Sequence, residues 1–66
     1  MTMTVNGVKK EISVQLSLSE LLRQEGFQTE RIAVERNGEI VPRGSYETTW
    51  ISNEDQLEVV SFVGGG

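Results

Sequence analysis

Residues Ser17–Phe27 read S-L-S-E-L-L-R-Q-E-G-F, and this stretch decides the fold. Ser17-Leu18-Ser19-Glu20 has the form of a capping box. The Ser17 hydroxyl can accept from the Glu20 backbone N–H while the Glu20 carboxylate reaches back to the Ser17 N–H. Leu16 and Leu21 then fall at the two positions of a hydrophobic staple, and Leu18, Leu21 and Leu22 form an i, i+3, i+4 apolar stripe. Gly26 supplies a residue free to adopt positive φ just past the helix, and Phe27 can cover Leu22, which predicts a Schellman ending. The predicted helix, Leu18 to Glu25, is too short to persist alone in water. A sheet must hold it.

The segments on either side supply that sheet. Upstream, Met1, Met3 and Val5 alternate with Thr2 and Thr4, the period of a strand. Asn6-Gly7 follows, a pair suited to the positive φ values of a two-residue type I′ hairpin turn. Val8 to Val14 is the predicted return strand, with Val8, Ile12 and Val14 on one face. Lys10 interrupts that face, which suits a sheet edge where an inward charge blocks further pairing. Downstream, Ile32, Val34 and Arg36 alternate with Ala33 and Glu35, Asn37-Gly38 turns the chain, and Glu39-Ile40-Val41 returns until Pro42 stops the ladder. Arg43–Ile51 carries mixed signals: Gly44 and Ser45 suggest a loop, Tyr46 and Trp50 cover for a small core, Thr48-Thr49 a short extended piece. Asn53-Glu54-Asp55 reads as a polar turn.

The last strand, Gln56 to Val63, has apolar groups on both faces. Leu57, Val59, Ser61 and Val63 share one; Glu58, Val60 and Phe62 share the other. A single helix covers a single face, so Val60 and Phe62 either pack beneath Arg43–Ile51 or form an exposed patch with Glu58 for docking a partner. Glu54, Asp55 and Glu58 read as a solvated acidic rim able to steer the chain toward a basic surface. The order of elements predicts an α+β fold: one helix on one face of a mixed sheet of four to five strands, with the first and last strands parallel at its centre.

Composition removes most chemistries. The 66 residues make one domain, taken as residues 1–63 with a flexible tail at 64–66. The absence of cysteine and histidine takes away the thiol nucleophile, the thiolate metal site, the commonest metal ligand and the commonest general base. Six basic residues against ten acidic ones give a net charge of −4, which argues against nucleic acid and anionic membranes as partners. The N-terminus lacks the basic and apolar regions of a signal peptide, so the expectation is a cytoplasmic chain, monomeric when free. It is expected to be no enzyme and to bind neither metal nor cofactor.

The sequence ends Gly64-Gly65-Gly66. Glycines bury no side chain and lose the most backbone entropy on ordering, so they contribute little to the fold. Without Cβ atoms they can enter a channel too narrow for other residues, carrying the Gly66 carboxylate as the reactive group. A carboxylate becomes an electrophile only when one oxygen is made a leaving group. The chain has no G-x-x-x-x-G-K-S/T loop with which to bind a nucleotide, so activation falls to a partner.

The Asn6-Gly7 hairpin, the single capped helix, Val34–Arg43 (VERNGEIVPR) and the Phe62–Gly66 end together resemble the sulfur carriers of thiamin biosynthesis, within the ubiquitin-like β-grasp superfamily. The resemblance spans the whole chain. One departure is Asn53-Glu54-Asp55, where many relatives have a glycine. The resemblance implies that an adenylyltransferase related to ubiquitin-activating enzymes uses ATP to adenylate Gly66. Sulfur from a cysteine desulfurase then leaves a thiocarboxylate there, and thiazole synthase receives the tail, with Gly64 and Gly65 entering the partner's active site. Two other readings share the tail: a carrier for another thiolation route, such as the small subunit of molybdopterin synthase, and a ubiquitin-like modifier forming isopeptide bonds.

Overall fold

The computed structural model describes residues 1–62; Val63 and the tail Gly64–Gly66 lie outside the described residues. The helix, α1, spans Leu18–Gln24, and its capping box is closed in both directions. The Glu20 N–H donates to Ser17 Oγ at 3.1 Å, and the Ser17 N–H donates to Glu20 Oε1 at 3.0 Å. At the other end Gly26 takes φ +87°, and the N–H groups of Gly26 and Phe27 donate to the carbonyls of Arg23 and Leu22, each at 3.0 Å. This is the predicted Schellman ending.

Five strands form one sheet: β1 (Thr2–Val5), β2 (Val8–Glu11), β3 (Ile32–Arg36), β4 (Glu39–Val41) and β5 (Gln56–Ser61). Their order is β2-β1-β5-β3-β4, with β1 and β5 parallel and the other neighbours antiparallel. The parallel pair at the centre and Lys10 on an edge strand both follow the sequence reading. Both Asn-Gly turns have positive φ, at Asn6 and Gly7 and again at Asn37 and Gly38. Leu18, Leu21 and Leu22 pack with Met3, Val5, Val34 and Leu57 into the core. Each fully buried leucine contributes about 2 kcal/mol.

Three local expectations are corrected. β2 stops at Glu11, so Val14 lies beyond it and is exposed, as is Val8, while Ile12 alone of the three is buried. Val8 and Lys10 lie opposite Val5 and Met3, and Lys10 Nζ reaches Glu25 at 2.9 Å, which keeps the inward charge paired at the sheet margin. Thr48-Thr49 is not a strand. Arg43–Ser45 is a 3₁₀ turn, and the segment after it supplies acceptors to the helix N-terminus. The N–H groups of Leu18 and Ser19 donate to the carbonyls of Thr49 and Tyr46 at 2.7 and 2.9 Å, satisfying donors that the first helical turn leaves open. Tyr46 and Ile51 enter the core as a result, whereas Trp50 is half exposed instead of covering it. The segment therefore packs on the helix side and not over Val60.

Candidate functional site

β5 carries the two faces that its sequence announces. Leu57 and Val59 are buried, while Glu58 and Val60 point to the side of the sheet opposite the helix. Val60 is 60% exposed and Phe62 54%, so both stand out as apolar groups open to solvent. Register places Ala33 opposite Val60, Glu35 opposite Glu58, and Ile40 opposite Glu35. The open face thus combines an apolar group at Val60 with two carboxylates set directly across from each other. Like charges in opposed positions cost stability, and a cationic group brought by a partner relieves that cost. The chain's net charge of −4 acts in the same direction at longer range.

Phe62 sits at the root of the tail. Its N–H donates to the Arg31 carbonyl at 2.7 Å, extending the antiparallel alignment of β5 past the start of β3. Beside it lies a cleft of about 300 Å³ whose lining includes Phe27, Arg31, Ser61 and Phe62. The structure therefore places Glu58 and Val60 on β5 and Phe62 one residue past its end, where the chain, predicted as strand through Val63, has already left β5. The sulfur-carrying position, Gly66, and the two glycines before it lie outside the described residues.

Asp55 is a correction. It is 4% exposed and belongs to no solvated rim. Its carboxylate accepts from Arg36 Nε at 3.0 Å, from Asn37 Nδ2 at 3.0 Å and from the Ser52 N–H at 2.7 Å, joining the second hairpin to the start of β5. The rim is left with the exposed carboxylates of Glu54 and Glu58.

Sequence reasoning missed the side chains of the two hairpin asparagines. Asn6 Oδ1 accepts from the Val59 N–H at 2.7 Å, and Asn6 Nδ2 donates to the Val59 carbonyl at 3.1 Å. Asn37 Oδ1 accepts from the Gln56 N–H at 2.8 Å. The Asn-Gly pairs signalled turns, and nothing local distinguishes an asparagine that only turns the chain from one that also binds a strand far away in sequence.

Among the described residues there is no group of three or more side chains able to hold a metal ion, and no helix long and apolar enough to cross a membrane.

Known proteins share this architecture and sequence. The ThiS family model matches residues 3–66. A thiazole synthase of Paramagnetospirillum magneticum is 39% identical over the whole of this chain, which spans about 20% of that protein's length. The sulfur carrier protein ThiS of Bacillus subtilis is 34% identical over 76% of each chain. The crystal structure of the thiamine biosynthesis protein ThiS from Geobacter metallireducens superposes with a TM-score of 0.81 at 35% identity, covering both chains completely. The β-grasp sheet, its single capped helix and a family match that runs through the terminal glycines all agree: the chain belongs to the ThiS family.

Proposed function

We propose that this chain is a sulfur carrier for thiazole formation in thiamin biosynthesis, holding sulfur as a thiocarboxylate on Gly66. The observation that supports it most is the ThiS family match, which extends through Gly66. The fold adds a physical rationale. A small rigid body presents an exposed apolar and acidic face, and the strand bearing that face runs directly toward three glycines with no Cβ atoms.

The chemistry requires partners. An activating adenylyltransferase joins the Gly66 carboxylate to the α-phosphate of ATP and releases pyrophosphate. The terminal sulfur of a persulfide, supplied through a cysteine desulfurase, then displaces AMP. Cleavage of the resulting acyl disulfide by a thiol leaves the thiocarboxylate. The carrier is a protein co-substrate in this scheme, and ATP is bound by the partner. Thiazole synthase is the acceptor. The match between this whole chain and about a fifth of a protein named thiazole synthase supports that pairing. Val60, Phe62 and Glu58 form the docking face, and Gly64 and Gly65 thread the partner's channel.

The test is tandem mass spectrometry of the C-terminal peptide after incubation with ATP, the adenylyltransferase and a persulfide source. Sulfur localised to Gly66 and dependent on ATP is the expected result, with Gly65→Val abolishing it while leaving the melting temperature unchanged. Fragment masses are needed because oxidation of Met1 or Met3 mimics an oxygen-to-sulfur exchange in the intact protein. An unmodified Gly66 with an active partner enzyme would refute the reading.

A further inference from the structure

The geometry points to Asn6 as a positioning residue for the tail: its carboxamide fixes the direction in which β5 delivers Gly64–Gly66 to a partner. This rests on the carrier function proposed above. β1 pairs with β5 only through Gln56 and Leu57, and the last backbone bond from that flank is the Asn6 N–H to the Leu57 carbonyl at 2.8 Å. At Asn6 the chain turns away toward β2. On the opposite flank β3 continues to pair with β5 as far as Ser61, and the Phe62 N–H bonds to Arg31. Toward the tail, the root of β5 would thus be tied on one side only.

Asn6 supplies the other side. Its carboxamide presents one acceptor and one donor in the geometry of a backbone amide, and both engage the same residue, Val59, at 2.7 and 3.1 Å. The side chain thereby adds one rung to the parallel ladder after the main chain has left it. Val59 lies a few residues before the tail, on the strand that presents Glu58 and Val60. Placement errors of about 1 Å at a reacting centre cost on the order of 100-fold in rate.

Asn37 provides an internal control. It occupies the same position of an equivalent Asn-Gly turn, also has positive φ, and its carboxamide holds the beginning of β5 through Gln56 and Asp55. Its place is the far end of the strand from the tail. Asn6→Gly and Asn37→Gly each retain a residue suited to the type I′ turn and each remove a side-chain clamp on β5. A purely structural role predicts that transfer declines in step with stability in both variants. A positioning role predicts that only the Asn6 variant loses transfer beyond its loss of stability.

The experiment measures ATP-dependent thiocarboxylate formation on full-length protein with the adenylyltransferase and a persulfide source. Amide hydrogen exchange at Val59 and Gln56 is followed by NMR on the same samples. Asn6→Gly is expected to speed exchange at Val59 and lower kcat/KM about fivefold or more, the scale of the two hydrogen bonds it removes. Asn37→Gly is expected to speed exchange at Gln56 and keep kcat/KM within about twofold. Asn6→Asp, which keeps the acceptor for the Val59 N–H but sets a carboxylate oxygen against its carbonyl, should also speed exchange at Val59 and lower kcat/KM. It decides the matter if the glycine variant does not fold. Equal transfer losses in the Asn6 and Asn37 variants, or unchanged transfer in both Asn6 variants, overturn the proposal. Wild-type protein that acquires no sulfur refutes the carrier function itself, and the role assigned to Asn6 with it, whatever the exchange data show.

Discussion

Glu54 and Asp55 are adjacent acidic residues with opposite structural effects. Glu54 is exposed and holds φ at +67°, in the left-handed region that costs a residue with a Cβ roughly 1–2 kcal/mol. Its N–H bonds to the Thr2 carbonyl, so the conformation is maintained by the sheet and not by the side chain. Glu54→Gly should therefore raise stability by about 0.5–1 kcal/mol, the strain relieved less the added freedom of the unfolded chain. Asp55 closes a buried network, and removing it leaves Arg36 and the Ser52 N–H without their acceptor. Asp55→Ala should cost about 2–4 kcal/mol. Urea unfolding of the two variants checks both; a lowered midpoint for Glu54→Gly would show that its side chain contributes something the strain does not outweigh.

At the scale of the element, α1 depends on its ends because it is so short. The Ser17 backbone N–H, then the Ser17 hydroxyl, and more weakly the charge of Arg23 hold the Glu20 carboxyl below its ordinary value, against a small opposing effect of desolvation. A carboxyl whose folded pKa is depressed contributes stability that is fully present above its unfolded pKa and lost as pH falls through its folded one. The helix N-terminus should accordingly weaken on acidification below the ordinary glutamate range. Ser17→Ala should return the Glu20 titration, followed by carboxyl NMR, toward the ordinary value and lower stability by about 1 kcal/mol. An unaltered Glu20 midpoint in that variant would mean that the Ser17 hydroxyl adds nothing to the hold of the backbone N–H, which alanine keeps.

For the whole molecule, one helix on a five-stranded sheet leaves a sheet face uncovered. That architecture leaves Val60 and Phe62 exposed, and the function proposed above makes them the groups a partner binds. Replacing Phe62 with glutamate should leave the melting temperature within a few degrees, because the side chain is 54% exposed. It should weaken binding to the activating adenylyltransferase about tenfold or more, the effect of truncating an apolar anchor and adding charge at an interface. Calorimetric titration beside thermal unfolding separates the two. Unfolding without a specific loss of affinity would make Phe62 part of the core.

Much of the fold was legible from local patterns. Capping box, Schellman glycine, Asn-Gly turns and alternating strands each involve residues a few positions apart, so the chain by itself determined α1, both hairpins and the two-faced β5. At the candidate site the sequence left two readings for Val60, cover by Arg43–Ile51 or an open patch, and the structure chose the open one. Tertiary structure alone decided the rest. Asp55 became a buried hub and not part of an acidic rim because register brought Arg36 and Asn37 to it across the sheet. Arg43–Ile51 resolved into a cap for α1 because the helix N-terminus needed acceptors that no residue adjacent in sequence supplied. Asn6 met Val59 through a separation of 53 residues. Such pairings depend on strand order and register, which emerge only when the whole sheet closes, and a single sequence carries no local mark of them.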